Sequence, residues 1–256
     1  MTSIDDYSRA SFELRCDEQI ASSLENPLVV PSDCPRTILL GGQSGAGKTT
    51  LHLVYKEQLE GNAIVINGDE YRKLHPNFAE IQERYGVEAP THTAAWSGAM
   101  VEALIDAFSL QGYNLVVEGT LRTSEVPLKT ATLLRERGYS VSLAIMAVKP
   151  EITLISCQIR YEMMRIAGTT PRAVDPEHHA SIVKDIVSNL AALDGSGLFD
   201  RIELYSRAGA CLLGADCPTG DPGASAVLAD TLFGEWTSEE LAHYNRLRER
   251  LGELQA

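Results

Sequence analysis

The sequence predicts an α/β protein with a P-loop kinase fold: a central parallel five-stranded sheet flanked by helices, with a helical arginine lid. Three observations lead there. Gly42-Gln43-Ser44-Gly45-Ala46-Gly47-Lys48-Thr49 reads G-x-x-x-x-G-K-T, between a short apolar run at Thr37 to Leu40 and a helical run at Thr50 to Leu59. Short apolar runs rich in β-branched residues then alternate with longer segments of helical spacing. Finally, two helical segments hinged at Gly168 and Pro171 carry arginines on both sides of the hinge.

Composition narrows the class. The chain has 256 residues, and its formal charge of −13 comes from 22 basic and 35 acidic side chains. Such a surface repels nucleic-acid phosphates, so no nucleic-acid partner is expected. Five cysteines, an odd number at irregular spacing, read as reduced thiols of a cytoplasmic protein. The start, Met1-Thr2-Ser3-Ile4-Asp5-Asp6, lacks an apolar run, and no stretch reaches the roughly 20 apolar residues of a membrane span.

Residues 1–36 read as an acidic helical leader, in which Tyr7 to Leu24 offers Phe12, Ile20 and Leu24 to the core before Pro27, Pro31 and Pro35 break the pattern. Residues 37–256 read as one P-loop kinase domain ending in helices. The first strand, Thr37 to Leu40, delivers the glycine loop. Its glycines let the backbone wrap around phosphate oxygens, and the following helix start favours an anion. Lys48 supplies a charge for the β- and γ-phosphates, and the Thr49 hydroxyl is placed for Mg²⁺. Residues Gly42, Gln43, Ser44, Gly45, Ala46, Gly47, Lys48, Thr49 and Thr50 are thus the predicted ATP-binding set.

The second strand, Ala63 to Ile66, ends in Asn67-Gly68-Asp69. Ligands of open parallel sheets sit beyond the carboxyl ends of the strands, so Asp69 points toward the phosphate loop. It can serve as general base, as Mg²⁺ ligand, or as cap of a helix beginning at Glu70. Tyr71 to Pro90 is mixed and polar. A helix follows over Thr93 to Leu110, where Glu102 falls off the apolar face and reads as solvated. The third strand, Leu115 to Val117, ends in Glu118-Gly119-Thr120-Leu121-Arg122-Thr123, a second carboxylate for Mg²⁺-water or substrate.

Ser124 caps a helix to Arg137, and the fourth strand, Val141 to Val148, is apolar enough to be covered on both faces. Helices over Pro150 to Ile166 and Pro176 to Leu193 form the lid, with Arg160, Arg165 and Arg172 able to neutralise a transferring phosphoryl group. His178 and His179 are adjacent on a helix, about 100° apart, and read as structural. Arg201 to Tyr205 is the last strand, Asp216 to Ser225 a loop, and Ala226 to Phe233 and Ser238 to Leu254 the closing helices.

A triphosphate cradle, carboxylates at two strand ends and an arginine lid point to phosphoryl transfer to an alcohol, with Asp69 as the base. The segments L-L-G-G-Q-S-G-A-G-K-T-T, I-N-G-D-E-Y-R-K-L-H-P, G-Y-N-L-V-V-E-G-T-L-R-T, V-K-P-E and I-R-Y-E, followed by P-E-H-H, resemble the zeta toxin family from about Arg36 to about Trp236. That resemblance implies a UDP-N-acetylglucosamine kinase. Such an enzyme moves the ATP γ-phosphoryl group to the 3′-hydroxyl of the amino sugar and so blocks peptidoglycan synthesis. Carried over residue by residue, it places the base on Asp69, the loop lysine on Lys48, and the lid arginines on Arg160 and Arg172, with Arg165 as substitute for the second. Its sugar-nucleotide contacts fall on Gly68, Asp69, Glu102, Glu118, Thr120, Arg122 and Thr130. The family also implies a small helical antitoxin covering the nucleotide site. Where its members commonly read I-D-G-D, this chain has Ile66-Asn67-Gly68-Asp69. Two other readings of the same loop are a phosphotransferase acting on an antibiotic or nucleoside, and a nucleotide-dependent binding switch.

Overall fold

The computed structural model describes residues 3–169, 171, 174–214 and 223–256. Six strands form one sheet: β1 Arg36–Gly41, β2 Ile64–Asn67, β3 Leu115–Glu118, β4 Ser140–Met146, β5 Arg201–Tyr205 and β6 Cys211–Leu213. Their spatial order is β2-β3-β1-β4-β5-β6. The five predicted strands pair in parallel, with Leu39 opposite Val117 on one side and Leu143 on the other. The sixth is an antiparallel edge strand beside β5. Sequence reading ended the sheet at Tyr205, because three residues after a tight turn carry too little periodicity to register.

The central strands are covered on both faces because their apolar runs, Ile38 to Leu40, Leu115 to Val117 and Leu143 to Met146, are buried at every position, whereas Val65 of the edge strand β2 is exposed. Ile38 and Leu40 of β1 point to a core shared with Leu51 and Tyr55 of helix α2 (Thr49–Gln58). Leu39, between them, points to the larger core on the other face with Val117, Leu143 and Leu204. That core is filled by Trp96, Met100, Leu104 and Phe108, at helical spacing along a later helix, Ala94–Ser109.

The leader helix α1 (Arg9–Ser23) is part of this packing. Cys16 joins the larger core, and Tyr7 and Phe12 stack edge-on against Trp96. After β2 come α3 (Gly68–Tyr71), α4 (Phe78–Tyr85) and α5 (Ala89–His92), in a stretch whose breaks at Pro76 and Pro90 hid the helical turns between them. Asp5 of the leader reaches His92 of α5 at 3.0 Å.

Helices α6 (Ala94–Ser109), α7 (Glu125–Glu136), α8 (Pro150–Ile166) and α9 (Pro176–Asp194) follow the predicted spans to within a residue or so. Ser124 occupies the cap position of α7 without a side-chain cap bond. His179 is buried and hydrogen-bonded to the Thr153 hydroxyl at 2.8 Å, whereas His178 is exposed. The hydrogen bond gives the buried His179 a packing role between α8 and α9.

The chain closes with α10 (Ala224–Phe233) and α11 (Ser238–Gln255), the latter started by a Thr237/Glu240 capping box. Helix α11 packs along α8. Lys149, just before α8, is buried and donates to the Gly234 carbonyl at 2.7 Å, which anchors the entry to α11. Cys16, Cys34 and Cys157 are free thiols. Arg172, Cys217 and most of the predicted Asp216 to Ser225 loop lie outside the described residues. Among the described residues no helix is long and apolar enough to cross a membrane.

Candidate active site

The strand order decides what meets what. Because β3 lies between β1 and β2, Glu118 stands beside the phosphate loop and Asp69 one strand further out. On the other side come β4 and β5, and the turn after β5 carries Arg207. A cleft of about 750 Å³ runs across these carboxyl ends.

The phosphate loop is held from below. Gly45 has a φ of +81°, and a Cβ there would stand 2.1 Å from the Thr153 carbonyl oxygen of α8, so both conformation and contact demand glycine. Arg207 donates to the Gly45 carbonyl at 2.7 Å. Gln43 is fully buried and its side-chain amide donates to the Val148 carbonyl at 2.7 Å. Helix α2 begins without a side-chain cap, so its positive end is left for an anion.

Lys48 is buried, and its ammonium donates to the carbonyls of Gly42 at 2.8 Å and Gln43 at 3.3 Å. Its Nζ lies 3.8 Å from Glu118 Oε1. Burial pushes its pKa below that of an ordinary lysine, while Glu118 and then Asp69 act to raise it. The other Glu118 oxygen accepts from the Asn67 amide at 3.0 Å and lies 3.0 Å from His52 Nε2. An aspartate at position 67 could not donate to Glu118, which gives the asparagine here a physical role.

Asn67 does a second job. Its side-chain oxygen accepts from the Asp69 N–H at 3.0 Å and caps α3. This corrects the reading of Asp69 as a helix cap: the cap is two residues earlier, and the Asp69 carboxylate is turned to the cleft. There it pairs with Arg72 Nε at 3.0 Å, while Arg72 also donates to the Pro90 carbonyl at 2.6 Å and to Thr93 Oγ1 at 3.2 Å. Gly68 lets α6 come close: a Cβ at 68 would stand 2.8 Å from Ser97 Oγ, which donates to the Gly68 carbonyl at 2.7 Å.

Of the residues singled out from sequence, Ser44, Gly45, Gly47, Lys48 and Thr49 line the cleft, as do Gly68, Asp69, Glu118, Thr120 and Arg160. Gly42, Gln43, Ala46 and Thr50 support the loop without lining it. Glu102, Arg122 and Thr130 are not brought to the cleft. The Glu102 side chain is 70% exposed and pairs with Lys129 at 3.0 Å. Arg165 pairs with Glu162 at 2.7 Å and does not line the cleft. The reason in both cases is helical phase: these side chains leave their helices on the solvent side.

Sequence reading missed Arg72, Arg207, Ser97, Asn189 and Leu247. Arg72 had a signal, three residues after Asp69 on one helical face. Asn189 of α9 had none; its amide donates to the carbonyls of Leu121 and Arg122, both at 2.9 Å, and steadies the loop after β3. Leu121 in that loop is buried with a φ of +57°. Its side chain lies where a Cβ on Gly41 would be, a packing that helps hold the unusual backbone.

Arg72→Ala should lower kcat about tenfold to a hundredfold with ATP binding intact, because Asp69 loses the guanidinium that fixes its position. Steady-state kinetics checks this, and an unchanged kcat would remove Arg72 from the site.

Comparison with known proteins fits this geometry. The family model described as zeta toxin matches residues 21–216. The chain is 40% identical over 252 residues to Toxin PezT of Streptococcus pneumoniae serotype 4 (strain ATCC BAA-334 / TIGR4), covering 98% of each. It is 39% identical over 210 residues to Toxin zeta of Streptococcus pyogenes, covering 82% of this chain and 72% of the other. A solved structure from the PezAT chromosomal toxin-antitoxin system of Streptococcus pneumoniae superposes with a TM-score of 0.88 at 38% identity, over 99% of both chains. The AvrRxo1-ORF1:-ORF2 structure with ATP shares the fold, at a TM-score of 0.57 and 12% identity over 99% of this chain and 96% of that one.

Proposed function

This chain belongs to the zeta toxin family, and on that premise we propose that it is the toxin of a toxin–antitoxin pair. We propose that it acts as a cytoplasmic kinase that phosphorylates the 3′-hydroxyl of the N-acetylglucosamine unit of UDP-N-acetylglucosamine. The observation that carries the reading is the meeting of Lys48, Glu118 and Asp69 at the carboxyl ends of three neighbouring strands, beside a phosphate loop. Consumption of that sugar nucleotide would stop peptidoglycan synthesis. A small helical antitoxin is the expected partner.

In the proposed reaction the acceptor hydroxyl attacks the γ-phosphorus of ATP. Its proton passes to the Asp69 carboxylate, the new O–P bond forms, and the bond to the β-phosphate oxygen breaks to release ADP. Arg72 holds Asp69 in place. Lys48 and Arg160 face the charge that spreads over the transferring group, with Arg172 as the proposed second lid arginine. Thr49 lines the cleft at the start of α2. The Thr49 hydroxyl is the oxygen donor that would hold Mg²⁺ beside the nucleotide, in keeping with that ion's preference for oxygen ligands. When bound there, Mg²⁺ would offset phosphate charge.

A second reading has one observation in its favour. Glu102, Arg122 and Thr130, which the family resemblance assigns to the sugar nucleotide, stand outside the cleft. The acceptor could then be another alcohol. Incubation of the protein with ATP, Mg²⁺ and a panel of UDP-sugars, nucleosides and aminoglycosides, read by mass spectrometry, separates the two. Gain of one phosphoryl group on UDP-N-acetylglucosamine is expected. Phosphorylation of a nucleoside or antibiotic in its place would overturn the acceptor assignment. No phosphorylated product at all, with ATP bound, would favour a binding switch.

A further inference from the structure

The acceptor side of the cleft is built from short pieces. Asp69 lies in α3 and Arg72 just after it, and Arg72 is fixed from α5, where it donates to the Pro90 carbonyl at 2.6 Å and to Thr93 Oγ1 at 3.2 Å. Helices α3 and α5 have four residues each and α4 has eight. Helices so short do not hold themselves, because ordering the first turn costs more than its hydrogen bond returns. Contacts from elsewhere must set where Arg72 stands.

The chain before α1 supplies them. Both Asp5 carboxylate oxygens lie 3.0 Å from His92 Nδ1. The Asp5 carbonyl lies 3.3 Å from His75 Nε2, and the other ring nitrogen of His75 accepts from the Asn77 N–H at 3.1 Å. The Asn77 amide donates to the Ile4 carbonyl at 2.8 Å. The Tyr7 ring stands edge-on to His75 and to Trp96. The indole N–H of Trp96 in turn donates to the Tyr71 carbonyl at 2.9 Å, next to Arg72. His75 and Trp96 are both buried, so their polar atoms depend on these partners rather than on water.

We infer that residues 4–7 brace the acceptor side, with Asp5 as a positioning residue that holds Arg72, and through it Asp69, by way of His92 and Pro90. The path is short. Asp5 holds His92, and His92 shares the single turn of α5 with Pro90. The Pro90 carbonyl holds the Arg72 guanidinium, whose Nε is 3.0 Å from Asp69 Oδ1. His92 is also stacked on Tyr85 of α4, so the brace orders α4 and α5 together. The phosphate loop lies off this path, between β1 and α2. The brace precedes the segment 21–216 that the family model matches. Its effect on catalysis rests on the phosphoryl-transfer reading of the cleft; its effect on the order of α3 to α5 does not.

Two measurements on the full chain test it. In hydrogen exchange read by mass spectrometry, Asp5→Ala should exchange faster than the parent over residues 68–93, with the phosphate loop unchanged. With ATP, Mg²⁺ and UDP-N-acetylglucosamine, its kcat should fall about tenfold while the dissociation constant for ATP stays the same. Asp5→Asn keeps an oxygen for the His92 N–H and should recover most of that rate. Added to Arg72→Ala, Asp5→Ala should cost nothing further, because the residue through which it acts is gone. Glu13→Ala, an exposed change on α1, should match the parent. Unchanged exchange over residues 68–93, or exchange that rises equally in the phosphate loop, would overturn the brace. So would an Asp5→Asn protein as slow as Asp5→Ala, or a full additional loss in the double variant. A parent protein that phosphorylates no UDP-sugar would overturn the acceptor assignment, and hydrogen exchange would still decide the brace.

Discussion

Asp69→Asn is expected to bind ATP as the parent protein does and to transfer its phosphoryl group about 10²–10⁴ times more slowly. The substitution isolates basicity. An asparagine has the same shape, and its oxygen can still accept from Arg72 Nε, now 3.0 Å from the carboxylate. The helix α3 loses nothing, since its cap is Asn67. The Asp69 side chain is 59% exposed, so folding stability should stay within about 0.5 kcal/mol of the parent. Single-turnover assays read by mass spectrometry, together with urea unfolding, check both halves. A folded variant that transfers within threefold of the parent rate would take Asp69 out of proton transfer.

Lys48→Met should cost about 10²–10³ in rate and also weaken ATP binding. Methionine keeps the length and apolar character of a buried stem but removes the charge. Two effects add. The γ-phosphoryl group loses its cation, and Glu118 loses a positive neighbour 3.8 Å away. Lys48→Arg should not restore activity, because a planar guanidinium cannot make the point contacts of an ammonium with the Gly42 and Gln43 carbonyls in so enclosed a site. Comparing kcat with the dissociation constant for ATP separates the catalytic loss from the binding loss. Full activity in Lys48→Met would leave the loop as a structural turn.

The strands and most helices were readable because each carries its own signal. An apolar run such as Leu115 to Val117 reads as a covered strand wherever it occurs. The glycine loop was readable for the same reason, since its conformation, its charge and its helix are consecutive in sequence. The short helices between Gly68 and His92 were not, because four to eight residues broken by prolines hold too few turns to show a period. Nor was β6, whose place beside β5 depends on a turn rather than on its own three residues. The site divides in the same way. Asp69 and Glu118 stand at strand ends and Lys48 ends the glycine loop, so the sequence brings each to notice. Arg207, Asn189 and Leu247 reach the site through the packing of distant segments and were missed.

By itself, then, the sequence determined the class of fold, the phosphate cradle and the two carboxylates, since these depend on neighbours within about ten residues. Only the tertiary structure decided which strand lies next to which. The insertion of β3 between β1 and β2 sets Glu118 against Lys48, and the placing of β4 and β5 on the other side of β1 puts Arg207 on the opposite flank. It also decided that Asn67 caps α3 and turns Asp69 to the cleft. These outcomes depend on pairings between residues tens of positions apart, chosen by burial of both sheet faces, and no local pattern encodes them.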